Sequence, residues 1–314
     1  MMAENNDATT GPLNSEANRL IERIPIPRSI VSLLVVSFII FATMSYLTPS
    51  NFLSVMNLQS MGGQIPVLGL LSVAMMLSML SGGIDLAVVS TANLAGILSA
   101  ITLKYFMSAN EPILGFFISI AVAIIIGAAC GLFNGFLIGE INITPILATL
   151  GTMLLYMGIG VGITEGSAIF GFTDWFLYLG GGNVLGIPVG FLIFLAIVLI
   201  VWVLLTWTPY GFKLYMMGTN PIASRFSGIN NKNEVYKTYL ASGIISALAG
   251  VLLISNSNSA KAGYGTSFLL QSILVVVLGG VNPYGGFGSI WGVALAVITL
   301  LVANYYLIYR HQSS

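Results

Sequence analysis

Long apolar runs separated by short polar segments repeat along almost the whole chain. About 20 apolar residues are needed to cross a bilayer as a helix, so these runs predict membrane-spanning helices. They lie at about 29–47, 55–80, 86–107, 112–139, 146–163, 191–207, 239–254, 268–281 and 289–308. The pattern therefore predicts an all-α polytopic membrane protein of about nine to ten transmembrane helices.

The polar parts of the chain predict its domains and its orientation. We expect an N-terminal tail at 1–28, a transmembrane domain at 29–308 and a C-terminal tail at 309–314. The charged residues of the loop 208–237 are mostly basic. They are Lys213, Arg225, Lys232 and Lys237, with one acidic residue, Glu234. Basic residues are retained on the cytoplasmic side of a membrane. With the arginines that flank the first run, this places the N-terminus and the loop in the cytoplasm.

The composition excludes several other classes of protein. The chain is 57% hydrophobic and 6% charged, whereas soluble domains carry about 25% charged residues. Its net charge is zero, so nothing suggests nucleic-acid binding. With only Cys130 and His311, it offers no intrachain disulfide and no Cys/His metal site. The chain also has no phosphate-binding P-loop motif, so it is not itself a P-loop ATPase, and we expect no enzyme activity and no cofactor.

The segment Ser81–Asp85 interrupts the apolar pattern between the second and third runs. The pair Gly82-Gly83 predicts a helix break, because each glycine costs about 1 kcal/mol relative to alanine in a helix. Asp85 is the acidic residue of this region, and it has two interpretations. It caps the start of the next helix by accepting backbone N–H groups, or the broken helix lines a polar pathway at membrane depth.

Other polar or small residues inside apolar runs are candidates for the pathway or for packing. Gln64, Asn134 and Gln271 are pathway candidates, and for Asn134 a packing hydrogen bond is the simpler interpretation. Four glycines spaced by four residues form a smooth helix face, which we call the glycine stripe: Gly127, Gly131, Gly135 and Gly139. Such a face lets another helix approach closely. It predicts packing and says nothing about a substrate.

A short capped helix is predicted inside the basic loop. Asn220 suits the N-cap, Pro221 the first turn and Gly228 the exit. The residues alone indicate that this segment is a basic surface near anionic lipid. Further along, Leu278-Gly279-Gly280 echoes the break after the second run, and this echo hints at two repeated halves.

Three motifs in this order resemble permeases of ribose-type ABC importers, the second class of carbohydrate-uptake transporters. They are Ser81–Leu86, then Gly218–Pro221 with Ser227–Asn230, then Leu278–Gly280 with Gly285–Gly288. The resemblance extends from about Phe52 to Leu295. The family pattern continues after its Asp with Leu-Ser-Val-Gly-Ser, where this chain has Leu-Ala-Val-Val-Ser, and the family usually has ten spans.

The resemblance implies a bacterial inner-membrane permease subunit that translocates a monosaccharide or related polyol. A periplasmic sugar-binding protein would deliver the substrate, a cytoplasmic ABC ATPase would bind the ATP, and a second permease copy or paralogue would complete the pathway. It also implies that the short helix couples ATPase to permease, with these candidate residues: Asn220, Pro221, Ala223, Ser224, Arg225, Ser227 and Gly228. The alternative is a stand-alone secondary transporter of a small polar solute, built on broken helices and needing no ATPase.

Overall fold

The computed structural model describes residues 28–47, 52 and 54–312, so residues 1–27 of the predicted N-terminal tail lie outside the described residues. The described chain is all-α, which confirms the predicted fold class. Its helices are α1 Arg28–Leu47, α2 Val55–Leu80, α3 Val88–Ser108, α4 Pro112–Gly139, α5 Pro145–Thr164, α6 Asp174–Gly181, α7 Val189–Trp207, α8 Pro209–Thr219, α9 Pro221–Phe226, α10 Asn231–Ser257, α11 Ser267–Leu278 and α12 Ile290–Gln312. Four two-residue strands, β1 Ile169–Phe170, β2 Asn183–Val184, β3 Ile187–Pro188 and β4 Ser259–Ala260, form the antiparallel pairs β1–β4 and β2–β3.

Every predicted span coincides with a helix, and the largest differences are at helix ends. Among the described residues, six helices are long and apolar enough to cross a membrane, and three apolar helices are shorter. Helix α10 begins at Asn231, eight residues before the expected 239, because the Asn230 side chain caps it by accepting the Asn233 N–H at 3.3 Å. Apolarity marks the part of a helix that lies in lipid, whereas capping marks where the helix begins.

Helices α2 and α10 form the centre of the bundle. Residues 65–80 of α2 are buried without exception, and α10 contacts α2, α3 and α4. Helices α4, α5 and α7 instead expose large apolar side chains, such as Phe117, Leu154 and Ile200. Exposed apolar surface of this extent suits lipid or another membrane subunit rather than water.

The glycine stripe lies on α4, directly against α10. A Cβ at Gly127 would collide with the carbonyl oxygen of Gly243, and a Cβ at Gly131 with that of Tyr239. The contact is reciprocal, since a Cβ at Gly243 would collide with the carbonyl oxygen of Gly127. At Gly139 the nearest α10 atoms would be 3.6 Å away, an ordinary contact. The two backbones therefore touch most closely in the middle of α4.

The bundle has two ends, which we name by the short helices that lie there. Helix α10 starts beside α9 and finishes beside α6, where Ser255 donates a hydrogen bond to the Phe176 carbonyl at 2.7 Å. Its 27 residues span about 40 Å. We refer to the α9 end and the α6 end; α2 enters at the α6 end and Leu80 lies at the α9 end.

Candidate functional site

Helix α2 ends in a left-handed glycine turn. Gly82 has φ +87°, and its N–H donates to the Met79 carbonyl at 2.9 Å. The Gly83 N–H donates to the Ser78 carbonyl at 3.1 Å. These two bonds define a Schellman motif, in which a glycine after the helix supplies the positive φ. The predicted break at Gly82-Gly83 is confirmed.

Helix α11 ends in the same way. Gly280 has φ +82° and donates to the Val277 carbonyl at 3.0 Å, while Val281 donates to the Val276 carbonyl at 3.2 Å. The echo between the two glycine segments therefore reflects a shared way of ending a helix. The twofold internal repeat stays a prediction, because local backbone geometry alone accounts for the echo.

Glycines from all three motifs meet at the α9 end. The Gly286 N–H donates to the Leu80 carbonyl at 3.1 Å. A Cβ at Gly218 would collide with that same carbonyl oxygen, and a Cβ at Gly285 would lie 2.8 Å from the Cα of Gly82. We name Gly82, Gly218, Gly285 and Gly286 the glycine junction. It joins the end of α2, the end of α8 and the loop between α11 and α12 by backbone contact.

The short helix α9 begins three residues after Gly218 of the junction and has the predicted caps. The Asn220 side-chain oxygen accepts the N–H groups of Ile222 and Ala223, each at 3.0 Å. Pro221 is the first helical residue, and Gly228 has φ +81° after the last turn. The local structure of this segment is thus confirmed, whereas its role in coupling stays a prediction.

The two faces of α9 differ sharply. Ser224 is fully buried and donates to the Asn231 side-chain oxygen at 2.8 Å, so this coupling candidate anchors α9 to α10 and offers no surface contact. The outer face instead presents Ile222, 70% exposed, and Phe226, 90% exposed. Neither was among the predicted residues, although an apolar pair four residues apart in a polar loop marks one helix face. The candidates Ala223, Arg225 and Ser227 are also exposed.

Asp85 is buried, with 3% of its surface exposed, and both carboxylate oxygens are hydrogen-bonded. One oxygen accepts the Ala87 N–H at 3.0 Å, and the other accepts the Ser242 hydroxyl at 3.0 Å. The expectation that Asp85 starts the next helix is wrong by two residues, because α3 has Ala87 as its N-cap. Asp85 instead closes the turn before α3 and ties it to α10.

The turn lies inside the bundle rather than at its surface. Ser242 is eleven residues along α10 from Asn231, or about 16 Å from the α9 end. The two salt bridges formed between described side chains, Lys232–Glu140 and Lys237–Glu234, do not include Asp85.

Hydrogen bonds to a protein side chain satisfy the polar backbone groups on both sides of Asp85. The Thr149 hydroxyl accepts the Leu86 N–H at 3.1 Å and lies 3.0 Å from the Ile84 carbonyl, to which it donates. A Cβ at Gly83 would lie 2.8 Å from the Tyr239 hydroxyl oxygen. Non-helical backbone at membrane depth is tolerated where protein encloses it in this way.

An open cleft of about 190 Å³ lies between α3 and α5 and reaches the loop before α11. Four polar side chains line it: Ser90, Asn93, Tyr156 and Thr266. The rest of its lining is small or apolar, including Leu94, Ile97, Met153, Met157 and Leu269. In the described part of the chain, no Asp, Glu, Lys or Arg lines this cleft. The cleft can therefore accept a small uncharged molecule.

Comparison with known proteins gives this arrangement its context. The family described as branched-chain amino acid transport system / permease component matches residues 57–313. Proteins named autoinducer 2 import system permease protein LsrD are similar to the chain: 36% identical in Yersinia enterocolitica, over 74% of this chain and 70% of the relative. The Yersinia pseudotuberculosis protein is 33% identical over 86% and 80%, and that of Escherichia coli K12 is 35% identical over 74% and 70%. No solved structure matches the chain.

The chain belongs to this permease family. The match confirms the resemblance to ribose-type ABC importer permeases, and it supports the importer over a stand-alone secondary transporter. The matched range runs from α2 into α12, so the glycine junction, α9 and the cleft all lie within it. The permease is a multi-pass protein of the bacterial inner membrane and acts as a transport subunit.

The predicted pathway residues of the permease do not form one site. Gln64 is exposed, and it precedes Leu80 by 16 residues of α2, or about 24 Å. Gln271 is half-buried on α11. Asn134 is buried and accepts a hydrogen bond from the Tyr156 hydroxyl at 3.3 Å, which links it to the wall of the cleft. Asp85, Gly82 and Gly83 lie together at the α2–α3 turn.

The polar cleft residues were missed by sequence reasoning. Ser90 and Asn93 lie three residues apart on α3, so a polar pair on one helix face was available as a signal. Tyr156 and Thr266 come from distant parts of the chain, and nothing in the sequence connects them to that pair.

Proposed function

We propose that this permease translocates a small neutral polyol, of the monosaccharide or autoinducer-2 type. The proposal rests on the lining of the cleft, in which the structure describes no charged side chain. A zwitterionic amino acid would leave both its charges without partners there, and burying an unpaired charge is strongly unfavourable. A polyol brings no charge, and the Ser90 hydroxyl and Asn93 amide, which donate to the Ala87 and Tyr264 carbonyls, keep their oxygens as acceptors for its hydroxyl groups. The named substrate of the LsrD relatives supports the same class.

The size of the cleft supports a pathway shared between two permease subunits. Small-molecule sites usually measure about 300–1,000 Å³, and this cleft measures about 190 Å³. We propose that a second permease copy or a paralogue supplies the other wall. A periplasmic binding protein would deliver the substrate at the α6 end, next to the loop that precedes α11.

The charge distribution supports a cytoplasmic α9 end. Four basic residues lie there, namely Lys213, Arg225, Lys232 and Lys237, and positive charge is retained on the cytoplasmic side. The N-terminus would then be cytoplasmic as well. An ABC ATPase would bind ATP as a separate chain and dock on α9, so that this permease needs no cofactor of its own. The glycine junction would carry the movement of α9 to α2 and α11.

Uptake in proteoliposomes tests this function. The permease is reconstituted with its paired permease, ATPase and binding protein, and uptake of labelled polyol and of labelled leucine is measured. Met153→Trp should fill the cleft and reduce polyol uptake about tenfold or more, because overpacked sites force displaced side chains. Leu154→Trp is the matched control, since Leu154 is 61% exposed on the same helix. Leucine uptake, or normal polyol uptake by Met153→Trp, would contradict the proposal.

A further inference from the structure

The loop between α11 and α12 exposes two aromatic side chains at the α9 end. Tyr284 is 87% exposed and Phe287 is 62% exposed. They lie in a polar and glycine-rich segment, outside the apolar helices that precede and follow it. Large aromatic side chains exposed at the polar end of a bundle are typical of a protein interface.

The backbone of this loop is rigidly held. The Asn282 N–H donates to the Phe287 carbonyl at 2.9 Å, and the Asn282 side-chain oxygen accepts the Tyr284 N–H at 3.0 Å. The Tyr215 hydroxyl donates to the Gly288 carbonyl at 2.9 Å. Because these bonds fix the backbone, the two rings project from an ordered support and lose little freedom on binding.

The loop and α9 belong to one surface. A Cβ at Gly286 would lie 2.7 Å from the Cα of Thr219, the residue before the Asn220 cap. Four exposed side chains thus project from two adjoining segments, and we name them the docking surface: Ile222, Phe226, Tyr284 and Phe287. Aromatic side chains on such a surface are the residue type that dominates binding energy at interfaces.

The charges near the docking surface indicate the chemistry of its partner. Lys213 and Arg225 form no salt bridge with any side chain that the structure describes, whereas Lys232 and Lys237 are paired with acidic residues. The complementary partner surface has apolar pockets for the rings and acidic residues around them. A bilayer of anionic lipid would match the charge but not the rigid arrangement of four projecting side chains.

We propose that the loop 282–287 is a second docking element for the cytoplasmic ATPase, beside α9. The proposal rests on the proposed function, in which α9 is the first element. Two-point docking has a mechanical consequence, because the glycine junction joins both elements to the end of α2. Movement of the ATPase would displace α2, α8 and the α11–α12 loop together.

Binding of the purified ATPase subunit to the permease in lipid nanodiscs tests the proposal. Tyr284→Ala combined with Phe287→Ala should weaken binding about tenfold or more, as expected for two aromatic anchors. Phe287→Leu should retain most of the binding because it keeps the apolar area. Tyr105→Ala combined with Trp175→Ala is the matched control, since these aromatic residues are 71% and 68% exposed away from the docking surface. A photo-crosslinking residue at 284 should link to the ATPase, and one at 175 should not.

The outcomes separate this inference from the proposed function. Weakened binding in Phe226→Asp with unchanged binding in the loop variant would overturn the inference and leave α9 docking intact. Unchanged binding in both would overturn both. Reduced membrane insertion of the loop variant, with unchanged ATPase binding per inserted permease, would assign the two rings to lipid and also overturn the inference.

Discussion

The contact between α4 and α10 predicts a large difference between two otherwise similar glycine substitutions. A Cβ at Gly131 would collide with the Tyr239 carbonyl oxygen and lie 3.0 Å from its carbon and 3.2 Å from the Leu240 Cα. All three are backbone atoms, so no change of rotamer relieves the contact. At Gly151 on α5, a Cβ would meet nothing within 4 Å.

The matched pair isolates the cost of pushing two helices apart. Gly→Ala gains about 1 kcal/mol of helix propensity at both positions, so this gain cancels in the comparison. Overpacking costs about 1–3 kcal/mol and applies only at Gly131. We therefore expect Gly131→Ala to be about 1–3 kcal/mol less stable than Gly151→Ala, and Gly131→Leu to be less stable still.

Reversible unfolding of the purified permease in mixed micelles measures this difference. The free energy of unfolding is determined for the wild type and both alanine variants under the same detergent ratio. Helix content by circular dichroism controls for changes in the folded state. Equal free energies for the two alanine variants would refute the close backbone contact between α4 and α10.

Four further predictions concern single residues. Asp85→Asn should fold normally, because an amide can bond with both Ala87 and Ser242. Asp85→Leu should lower the free energy of unfolding by about 1–3 kcal/mol for each buried polar group left unpaired. Loss of transport by a folded Asp85→Asn protein would assign a pathway role to the charge. Gly228→Val should lower substrate-stimulated ATP hydrolysis by straining the α9 exit at φ +81°, and normal stimulation would refute a need for that turn. Tyr239→Phe should unfold at an equal or higher temperature, because the Tyr239 hydroxyl is buried without a hydrogen-bond partner; a destabilised variant would show that the hydroxyl is satisfied. In a Cys130→Ala background, an impermeant thiol reagent on intact cells should label a cysteine at Lys261 but not one at Lys232, and the reverse would invert the proposed orientation.

Local signals in the sequence were sufficient for the helices and for the ends of several of them. The breaks at Gly82 and Gly280 and the caps of α9 depend on residues within one or two turns, and each was readable from residue type. Helix α10 shows where such reading fails. Its first eight residues are mostly polar, so the predicted apolar run began at 239, and only the cap at Asn230 reveals the true start.

An all-α membrane protein could be predicted from the amino-acid sequence because hydrophobic runs and capping residues act locally, and the resemblance of three motifs to a family added the expectation of a permease. The places where distant parts of the chain meet could be seen only in the folded protein. The glycine junction joins Gly82 to Gly218 and Gly285, and the cleft joins Ser90 to Tyr156 and Thr266. These residues are separated by at least 60 positions of chain, and their proximity follows from how the helices pack rather than from any local preference. That is why glycines with a local explanation were predicted correctly, whereas the polar side chains of the cleft were not.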